Sequence, residues 1–211
     1  MTRYAMVIDQ RRCIGCHSCT VACRTWNDLP LDIIYNPVVT EGAQGKWPHV
    51  HRTYTPTLCM HCANPECVPC CPTGASQQDD DGVVWVDSKK CMACKVCVNA
   101  CPYGMRDTSV LGPRLHRFVR KCTFCEHRVE NGLVPACVAT CVTKSRIFGD
   151  LNDPESDIYQ AISRVLFLSP APHFYISRAT ALGIYHTTVA YERMRNEKQR
   201  RLYRHRRSSG Q

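Results

Sequence analysis

Short runs of alternating or β-branched apolar residues recur along the chain, and each stands just before a group of cysteines. The third run follows Asp81 and Gly82, a dipeptide typical of tight turns. Such runs are typical of strands. The pattern predicts four short strands: YAMVID at 4–9, VHRTYT at 50–55, VVWVD at 83–87 and FVRK at 118–121.

A helical spacing follows each predicted strand. The last two cysteines of every group stand at i and i+4, as in CTVAC and CVNAC, which places them one helical turn apart. The repeating unit is therefore predicted to be a strand, a cysteine loop and a short helix. The segment SQQDDDG at 76–82 is rich in turn formers and is predicted to join the second unit to the third.

The cysteines fall into four groups of four, and repetition of this kind indicates a modular fold. The first and third groups have the spacing C-x2-C-x2-C-x3-C, the second has gaps of two, four and three residues, and the fourth has gaps of two, eleven and three. The groups are Cys13, Cys16, Cys19 and Cys23; Cys59, Cys62, Cys67 and Cys71; Cys91, Cys94, Cys97 and Cys101; and Cys122, Cys125, Cys137 and Cys141.

This spacing predicts [4Fe–4S] clusters. Three cysteines in C-x2-C-x2-C wrap three corners of a cubane, and a fourth, often followed by proline, ligates the other cluster of a two-cluster ferredoxin. Zinc is the competing interpretation because C-x2-C pairs also form all-cysteine tetrahedral sites. A zinc ribbon, however, separates its two pairs by a long loop. Disulfides are the third interpretation and are typical of short secreted chains.

Exchange of the fourth ligand predicts which cysteines share a cluster. The second and third groups would form one continuous, inner ferredoxin-like unit. The first and fourth groups would form an outer unit, in which the inner unit is inserted. The predicted ligand sets are set 1, Cys13, Cys16, Cys19 and Cys141; set 2, Cys59, Cys62, Cys67 and Cys101; set 3, Cys91, Cys94, Cys97 and Cys71; and set 4, Cys122, Cys125, Cys137 and Cys23.

The chain has 17 cysteines, so one is left over, and it lies in the stretch CVPCCPTGA. Cys71 keeps the x3 gap found at the end of every group and precedes Pro72, as Cys101 precedes Pro102. Cys70 keeps neither feature, although its x2 gap from Cys67 makes it an alternative ligand. We predict that Cys71 is the ligand and that Cys70 is a small buried apolar residue.

Charge is concentrated at the end of the chain. The 211 residues carry a formal charge of +9, and the segment from Glu192 to Arg207 contains eight Lys or Arg and two Glu. The cysteine-bearing body is therefore no basic surface for nucleic acid. The tail is predicted to be helical and could be a solvated end, an arm that docks on an acidic partner, or a contact for anionic lipid or nucleic acid.

Membrane and export features are absent from the pattern. MTRYAMVIDQRRC has no apolar core typical of a secretory signal, and no stretch of about 18 uncharged apolar residues occurs. We therefore expect neither a signal nor a membrane span.

With these residues in hand, the chain resembles the four-cluster electron-transfer (beta) subunits of the molybdenum or tungsten pterin oxidoreductases. This family includes the dimethyl sulfoxide, polysulfide, thiosulfate and respiratory arsenate reductases. The resemblance covers about residues 3–178 and rests on RYAMVIDQRRCIGCHSCTVAC, PTLCMHCANPECVPCCPTGA, DGVVWVDSKKCMACKVCVNACPYGMR, RKCTFCEHRVENGLVPACVATC and RIFGDLNDPES. The fourth group departs from the family by ending in CVT where proline is common.

The resemblance implies an α+β fold with long irregular loops. Its two ferredoxin-like units, one inserted in the other, would span residues 1–49 with 102–150 and residues 50–101, and a C-terminal extension with a basic tail would span 151–211. The protein would have no catalytic residue. It would pass single electrons along four [4Fe–4S] clusters between a molybdopterin catalytic subunit and a quinone-linked membrane subunit or soluble carrier. No nucleic-acid partner is expected.

The resemblance also favours the outer face of the cytoplasmic membrane, reached by means of the signal of a partner, with the cytoplasmic face as the alternative. A polyferredoxin that serves a hydrogenase is the alternative function. Cations beside the groups would favour the reduced clusters, whereas His61 is expected to be an ordinary polar loop residue. The candidate cations are Arg12, Lys89, Lys90, Lys95, Arg106, Lys121 and Lys144.

Overall fold

A computed structural model describes residues 2–40, 42–109, 118–167 and 174–176. It is an α+β fold of short elements, as the sequence predicts. The strands are β1 Tyr4–Asp9, β2 Val38–Thr40, β3 Tyr54–Pro56, β4 Ser76–Gln78, β5 Val84–Val86, β6 Asp107–Thr108, β7 Val119–Arg120, β8 Arg146–Asp150 and β9 Phe174–Ile176. The helices are α1 Ser18–Trp26, α2 Val96–Ala100, α3 Glu126–Val129, α4 Ala136–Ala139 and α5 Asp157–Phe167.

Strand β1 is the centre of a three-stranded antiparallel sheet with the order β8-β1-β9. Tyr4 pairs with Asp150 and Ile8 with Arg146, so the start of the chain is joined to a segment more than a hundred residues later. Successive side chains of β1 point to opposite faces, and both faces are buried. This explains why the run YAMVI is continuously apolar.

The remaining strands form three two-stranded antiparallel pairs, β2–β3, β4–β5 and β6–β7. Two predictions about these strands are wrong. Residues 76–78 of SQQDDDG form β4 rather than a turn, because Ser76–Gln78 pair with Val84–Val86 and only the following residues turn. The strand expected at 50–55 begins only at Tyr54.

Short helices carry cysteines of three of the four groups. Helix α1 carries Cys19 and Cys23, α2 carries Cys97, and α4 carries Cys137. The helix predicted at Cys67–Cys71 is wrong, because the segment forms successive turns in which Val68 N–H donates to Pro65 O and Cys71 N–H to Val68 O. Pro69 lies inside this stretch and has no N–H for a helical bond.

The largest hydrophobic cluster is built around cysteines as much as around aliphatic residues. Phe124 is 2 % exposed and lies at its centre, stacked on His61 with ring centroids 4.0 Å apart and edge-on to Phe148 at 5.4 Å. Its other buried members are Met6, Ile8, Cys19, Leu58, Cys59, Met60, Val83, Cys122, Cys137 and Phe148. The core and the cysteine-rich region are therefore one structure.

Helix α5 covers the opposite face of β1. Ala5 and Val7 pack against Ile158, and Ile147 and Leu151 lie at the edge of this second cluster. None of the helices that the structure describes is both long and apolar enough to cross a membrane. The predicted basic tail lies outside the described residues.

Candidate iron–sulfur sites

The loop between the first two cysteines has the same backbone turn in all four groups. The residue just before the second cysteine has a positive φ each time, 68° at Gly15, 43° at His61, 55° at Ala93 and 56° at Phe124. This left-handed conformation costs a non-glycine residue on the order of 1–2 kcal/mol. Repetition of that cost in three non-glycine residues indicates that the turn itself is required.

The turn directs backbone amides towards the sulfurs. Phe124 N–H donates to Cys122 Sγ at 3.4 Å, and the amide of Gly15 hydrogen-bonds to the thiol of Cys13. Gly15 also lies against an aromatic ring, since a Cβ placed there would approach Tyr54 Cδ1 at 2.4 Å. Successive inward amides form a concave site for an anionic centre.

Set 4 joins the first and fourth groups in one place. Burial and the thiolate charges of Cys122, Cys137 and Cys125 raise the pKa of Cys23, so its thiol lies among the other three members of the set. All four line one pocket, with Met6, Leu58 and Phe124.

Set 1 lies beside it. Burial raises the pKa of Cys13, and the thiolates of Cys19 and Cys141 add to this rise. Cys16 is exposed, whereas Cys19 is buried. The thiol of Cys141 therefore lies close enough to that of Cys13 for the charge of Cys141 to act on it.

Thiols of the second and third groups also lie near one another. Burial, with the thiolates of Cys59, Cys101 and Cys67, raises the pKa of Cys62 to about 12. The four members of set 3, Cys71, Cys91, Cys94 and Cys97, line a second pocket.

Cys71 and Cys141, the exchanged members of sets 3 and 1, have matching surroundings. The hydroxyl of Thr73 lies 3.7 Å from Cys71 Sγ and that of Thr143 lies 3.8 Å from Cys141 Sγ. Slight burial would raise the pKa of Cys71, but hydrogen bonds from the amides of Ser76, Thr73 and Ala75 and from the Thr73 hydroxyl lower it on balance. Ser145 N–H donates to Cys141 Sγ at 3.3 Å.

Cys70 differs from the prediction. It is half-buried rather than buried, and its thiol lies close enough to Cys71 and Cys94 for their charges to raise its pKa, after desolvation as the largest cause. It is absent from the lining of the set 3 cavity. Cys70 is therefore a thiol at the margin of set 3 and no part of the core.

The donor set fits a cluster with one sulfur per iron. Four thiols surround each of the two cavities, and within the described ranges no three His, Cys, Asp or Glu side chains converge on a single ion. A tetrahedral zinc site requires four sulfurs at about 2.3 Å from one metal. Four thiols around one pocket match the one thiolate per iron that a [4Fe–4S] cubane requires.

Two buried arginines lie near the sulfurs of more than one set. Arg146 is 3 % exposed, and its Nη2 donates to Cys19 Sγ at 3.5 Å while Nη1 donates to Cys137 Sγ at 3.9 Å and to Met6 Sδ at 3.6 Å. Arg106 is 2 % exposed, and its Nη2 donates to Ser76 Oγ at 2.8 Å.

Thiolate charge keeps both arginines cationic. Burial disfavours the charge of each guanidinium, but the thiolates of Cys137 and Cys19 around Arg146 outweigh burial and raise its pKa. The thiolates of Cys67 and Cys97 do the same for the pKa of Arg106.

Lys121 is the third buried cation, at 2 % exposure, and its Nζ donates to the carbonyl oxygens of Val84 and Cys122. Of the seven cations considered from sequence, only Arg106 and Lys121 are buried, and the other five are exposed. Arg146 was missed. Its spacing in the sequence could have indicated it, because Arg146 stands five residues after Cys141, just as Arg106 stands five residues after Cys101.

Two further polar side chains support the loops and were not predicted to do so. His61 is fully buried, and its Nδ1 accepts a hydrogen bond from Val84 N–H at 3.0 Å, so it is a core residue and not an ordinary loop histidine. Asn27 Nδ2 lies 3.6 Å from both Cys23 Sγ and Cys125 Sγ. It therefore joins two members of set 4.

Comparison with known proteins gives two family matches. The 4Fe-4S dicluster domain family matches residues 50–151, and the 4Fe-4S binding domain family matches residues 4–25. These matches cover all four cysteine groups and identify the cofactor as [4Fe–4S] clusters.

Similar proteins extend over most of the chain. The B subunit of the tetrathionate reductase of Salmonella typhimurium is 45% identical over 188 residues, which are 82% of this chain and 72% of that protein. The arsenate respiratory reductase iron-sulfur subunit of Shewanella sp. ANA-3 is 34% identical, over 76% of this chain and 87% of its own length. The B subunit of the sulfite dehydrogenase of Allochromatium vinosum is 38% identical, over 77% of this chain and 75% of that protein.

Proposed function

The chain belongs to the family of iron–sulfur electron-transfer (beta) subunits of the molybdopterin oxidoreductases, and on that premise we propose that it relays single electrons through four [4Fe–4S] clusters. The relay connects a molybdopterin catalytic subunit to a quinone-linked membrane subunit or a soluble carrier. The observation that carries this proposal is the crossing of cysteines between groups, with Cys23 among the thiols of the fourth group and Cys71 among those of the third.

We propose sets 1 to 4 as the ligand sets. The cavities of sets 3 and 4 and the thiolate neighbours of Cys13 and Cys62 support this assignment. They also support the nested arrangement of two ferredoxin-like units, which the pairing of β1 with β8 closes. Each cluster supplies a centre that accepts and gives up one electron.

The contacts between sets favour the order 1, 4, 2, 3. Arg146 contacts Cys19 of set 1 and Cys137 of set 4. Burial raises the pKa of Cys122 in set 4, and the charge of Cys59 in set 2 lies close enough to raise it further. Arg106 lies between Cys67 of set 2 and Cys97 of set 3.

The exposed thiols lie at the two ends of this order. Cys16 of set 1 and Cys94 of set 3 are exposed, with Ile14 60% and Met92 66% exposed beside them. In the middle, all four members of set 4 are buried, and set 2 has Cys59 buried and its other three thiols half-buried. This arrangement suits entry of an electron at one end and exit at the other.

The partners of the relay follow from the relatives. These relatives are the B subunits of a tetrathionate reductase and a sulfite dehydrogenase and the iron-sulfur subunit of an arsenate reductase, so we propose a catalytic partner of that class for this chain. The relay itself carries no catalytic residue. We place the complex on the outer face of the cytoplasmic membrane, as the family resemblance favours.

Anaerobic purification of the chain with its natural partners tests the proposal. We expect a brown complex with about 16 iron atoms per copy of this chain, four for each cubane, and a large partner that contains molybdenum or tungsten. Zinc in place of iron would refute the relay. A hydrogenase as the partner would leave the relay intact and favour the polyferredoxin alternative.

The adjacent cysteines provide a matched pair of variants for the assignment of set 3. We expect Cys70→Ala to retain all four clusters, because its thiol lies outside the cavity of the set. Cys71→Ala should lose one cluster or convert it to a three-iron form, because it removes the thiolate that three backbone amides stabilise. Iron analysis and EPR of the two purified variants make the measurement. Equal iron loss in both variants would show that Cys70 shares the ligand role.

A further inference from the structure

Arg146 lies at the junction of set 1 and set 4 without a carboxylate partner among the described residues. Its guanidinium instead contacts three sulfurs, those of Cys19, Cys137 and Met6. A buried cation without a counter-ion costs several kcal/mol. The thiolates of sets 1 and 4 are the groups that supply the compensating negative charge here.

Arg106 occupies the corresponding place between set 2 and set 3. Its Nη2 is held by Ser76, while its buried Nη1 has no hydrogen-bond partner among the described nitrogen and oxygen atoms. Its guanidinium hydrogen-bonds to Cys97 of set 3 and lies near Cys67 and Cys59 of set 2. An arginine five residues after a cysteine group therefore serves both ferredoxin-like units in the same way.

Lys121 lies at the remaining junction, between set 4 and set 2. Two carbonyl oxygens hold its ammonium group, one of them belonging to the proposed ligand Cys122. The other carbonyl belongs to Val84, whose N–H donates to His61, the neighbour of Cys62 in set 2. All three junctions in the order 1, 4, 2, 3 therefore contain a buried cation.

We propose that Arg146, Lys121 and Arg106 are shared tuning residues, each of which raises the reduction potentials of the two clusters on either side of it. The inference rests on the four-cluster relay proposed above. An electron added to a cluster increases its negative charge, and a nearby buried cation stabilises that reduced state. Because each cation lies between two sets, it stabilises an added electron on either side.

The test is a redox titration of the intact complex that is monitored by EPR, with variants at two of the three junctions. The four signals are first assigned with single-ligand variants of each set. Arg146→Gln should lower the reduction equilibrium constants of clusters 1 and 4 by about tenfold each, which corresponds to about 59 mV, and leave cluster 3 unchanged. Arg106→Gln should shift clusters 2 and 3 and leave cluster 1 unchanged.

Two control variants separate charge from structure. Arg146→Lys retains the cation and should keep the reduction equilibrium constants of clusters 1 and 4 within about threefold of their original values. Lys144→Gln removes an exposed cation two residues away and should change them little, because water and salt screen it.

Three results would overturn the inference. The first is unchanged potentials in both glutamine variants, and the second is a shift confined to one of the two facing clusters. The third is loss of iron in the glutamine variants with full iron retention in Arg146→Lys, which would mean that the cations serve assembly alone. A parent complex with fewer than four reducible clusters would instead contradict the proposed relay. The two failures are therefore distinguishable.

Discussion

Removal of iron is expected to abolish the cooperative folding of this chain. Four members of the largest core cluster, Cys19, Cys59, Cys122 and Cys137, belong to the proposed ligand sets, so the iron centres lie inside the core. Helices α2, α3 and α4 have only five, four and four residues, and three of the four sheets are two-stranded pairs. Elements of this length have little stability on their own.

The expected magnitude is the whole stability of the domain, about 5–15 kcal/mol. Metal binding in small metalloproteins is in large part the free energy of folding. Thermal unfolding followed by circular dichroism should show a sharp transition in the iron-loaded chain and none after anaerobic extraction with a chelator. Hydrogen exchange should keep its last protection at β1 and β8, which pack on Ile158 of α5 without a cysteine.

Reconstitution with iron, sulfide and reductant provides the control and should restore the transition. An iron-free chain that retains a sharp transition at a similar temperature would contradict the prediction. It would mean that the aliphatic and aromatic contacts of Phe124, Phe148 and Ile8 are sufficient for folding.

Cys23→Ala is expected to interrupt the relay in its interior. Cys23 is 4 % exposed and lies among Cys122, Cys125 and Cys137 in one cavity. Its loss removes the fourth thiolate of set 4, and set 4 lies between set 1 and set 2 in the proposed order. We expect iron to fall by about one to four atoms per chain, and electron transfer through the complex to fall by about tenfold or more, since the interior centre is lost or altered.

The measurement combines iron analysis, EPR and turnover of the assembled complex with its electron donor and acceptor. Cys70→Ala is the matched control, because it also removes one thiol but none from a proposed set. Full iron content and full turnover in Cys23→Ala would exclude Cys23 as a ligand. They would also break the pairing of the first group with the fourth.

The elements that depend on local pattern could be predicted from the sequence. Strand β1 begins and ends where YAMVID does, and α1, α2 and α4 lie where the i, i+4 cysteines place them. The helix predicted after the second group failed, because Pro69 outweighs the cysteine spacing there.

Features that depend on distant contacts could not be predicted from local pattern. Strand β8 finds its partner β1 about 140 residues earlier, and nothing within RIFGD specifies that pairing. His61 has the polarity of a loop residue, and its burial follows from stacking on Phe124 and from the amide of Val84. Arg146 was missed for a similar reason, since desolvation of a cation is visible only when the sulfurs around it are in place.

The pairing of β1 with β8 has a consequence for synthesis of the protein. On a ribosome the N-terminus emerges first, so Cys13, Cys16 and Cys19 are exposed long before Cys141 is made. The proposed sets 2 and 3 are complete as soon as residue 101 has left the exit tunnel, whereas sets 1 and 4 remain incomplete until residue 141 follows. In the proposed nested arrangement, all ligands of the inner pair of clusters are therefore available before those of the outer pair.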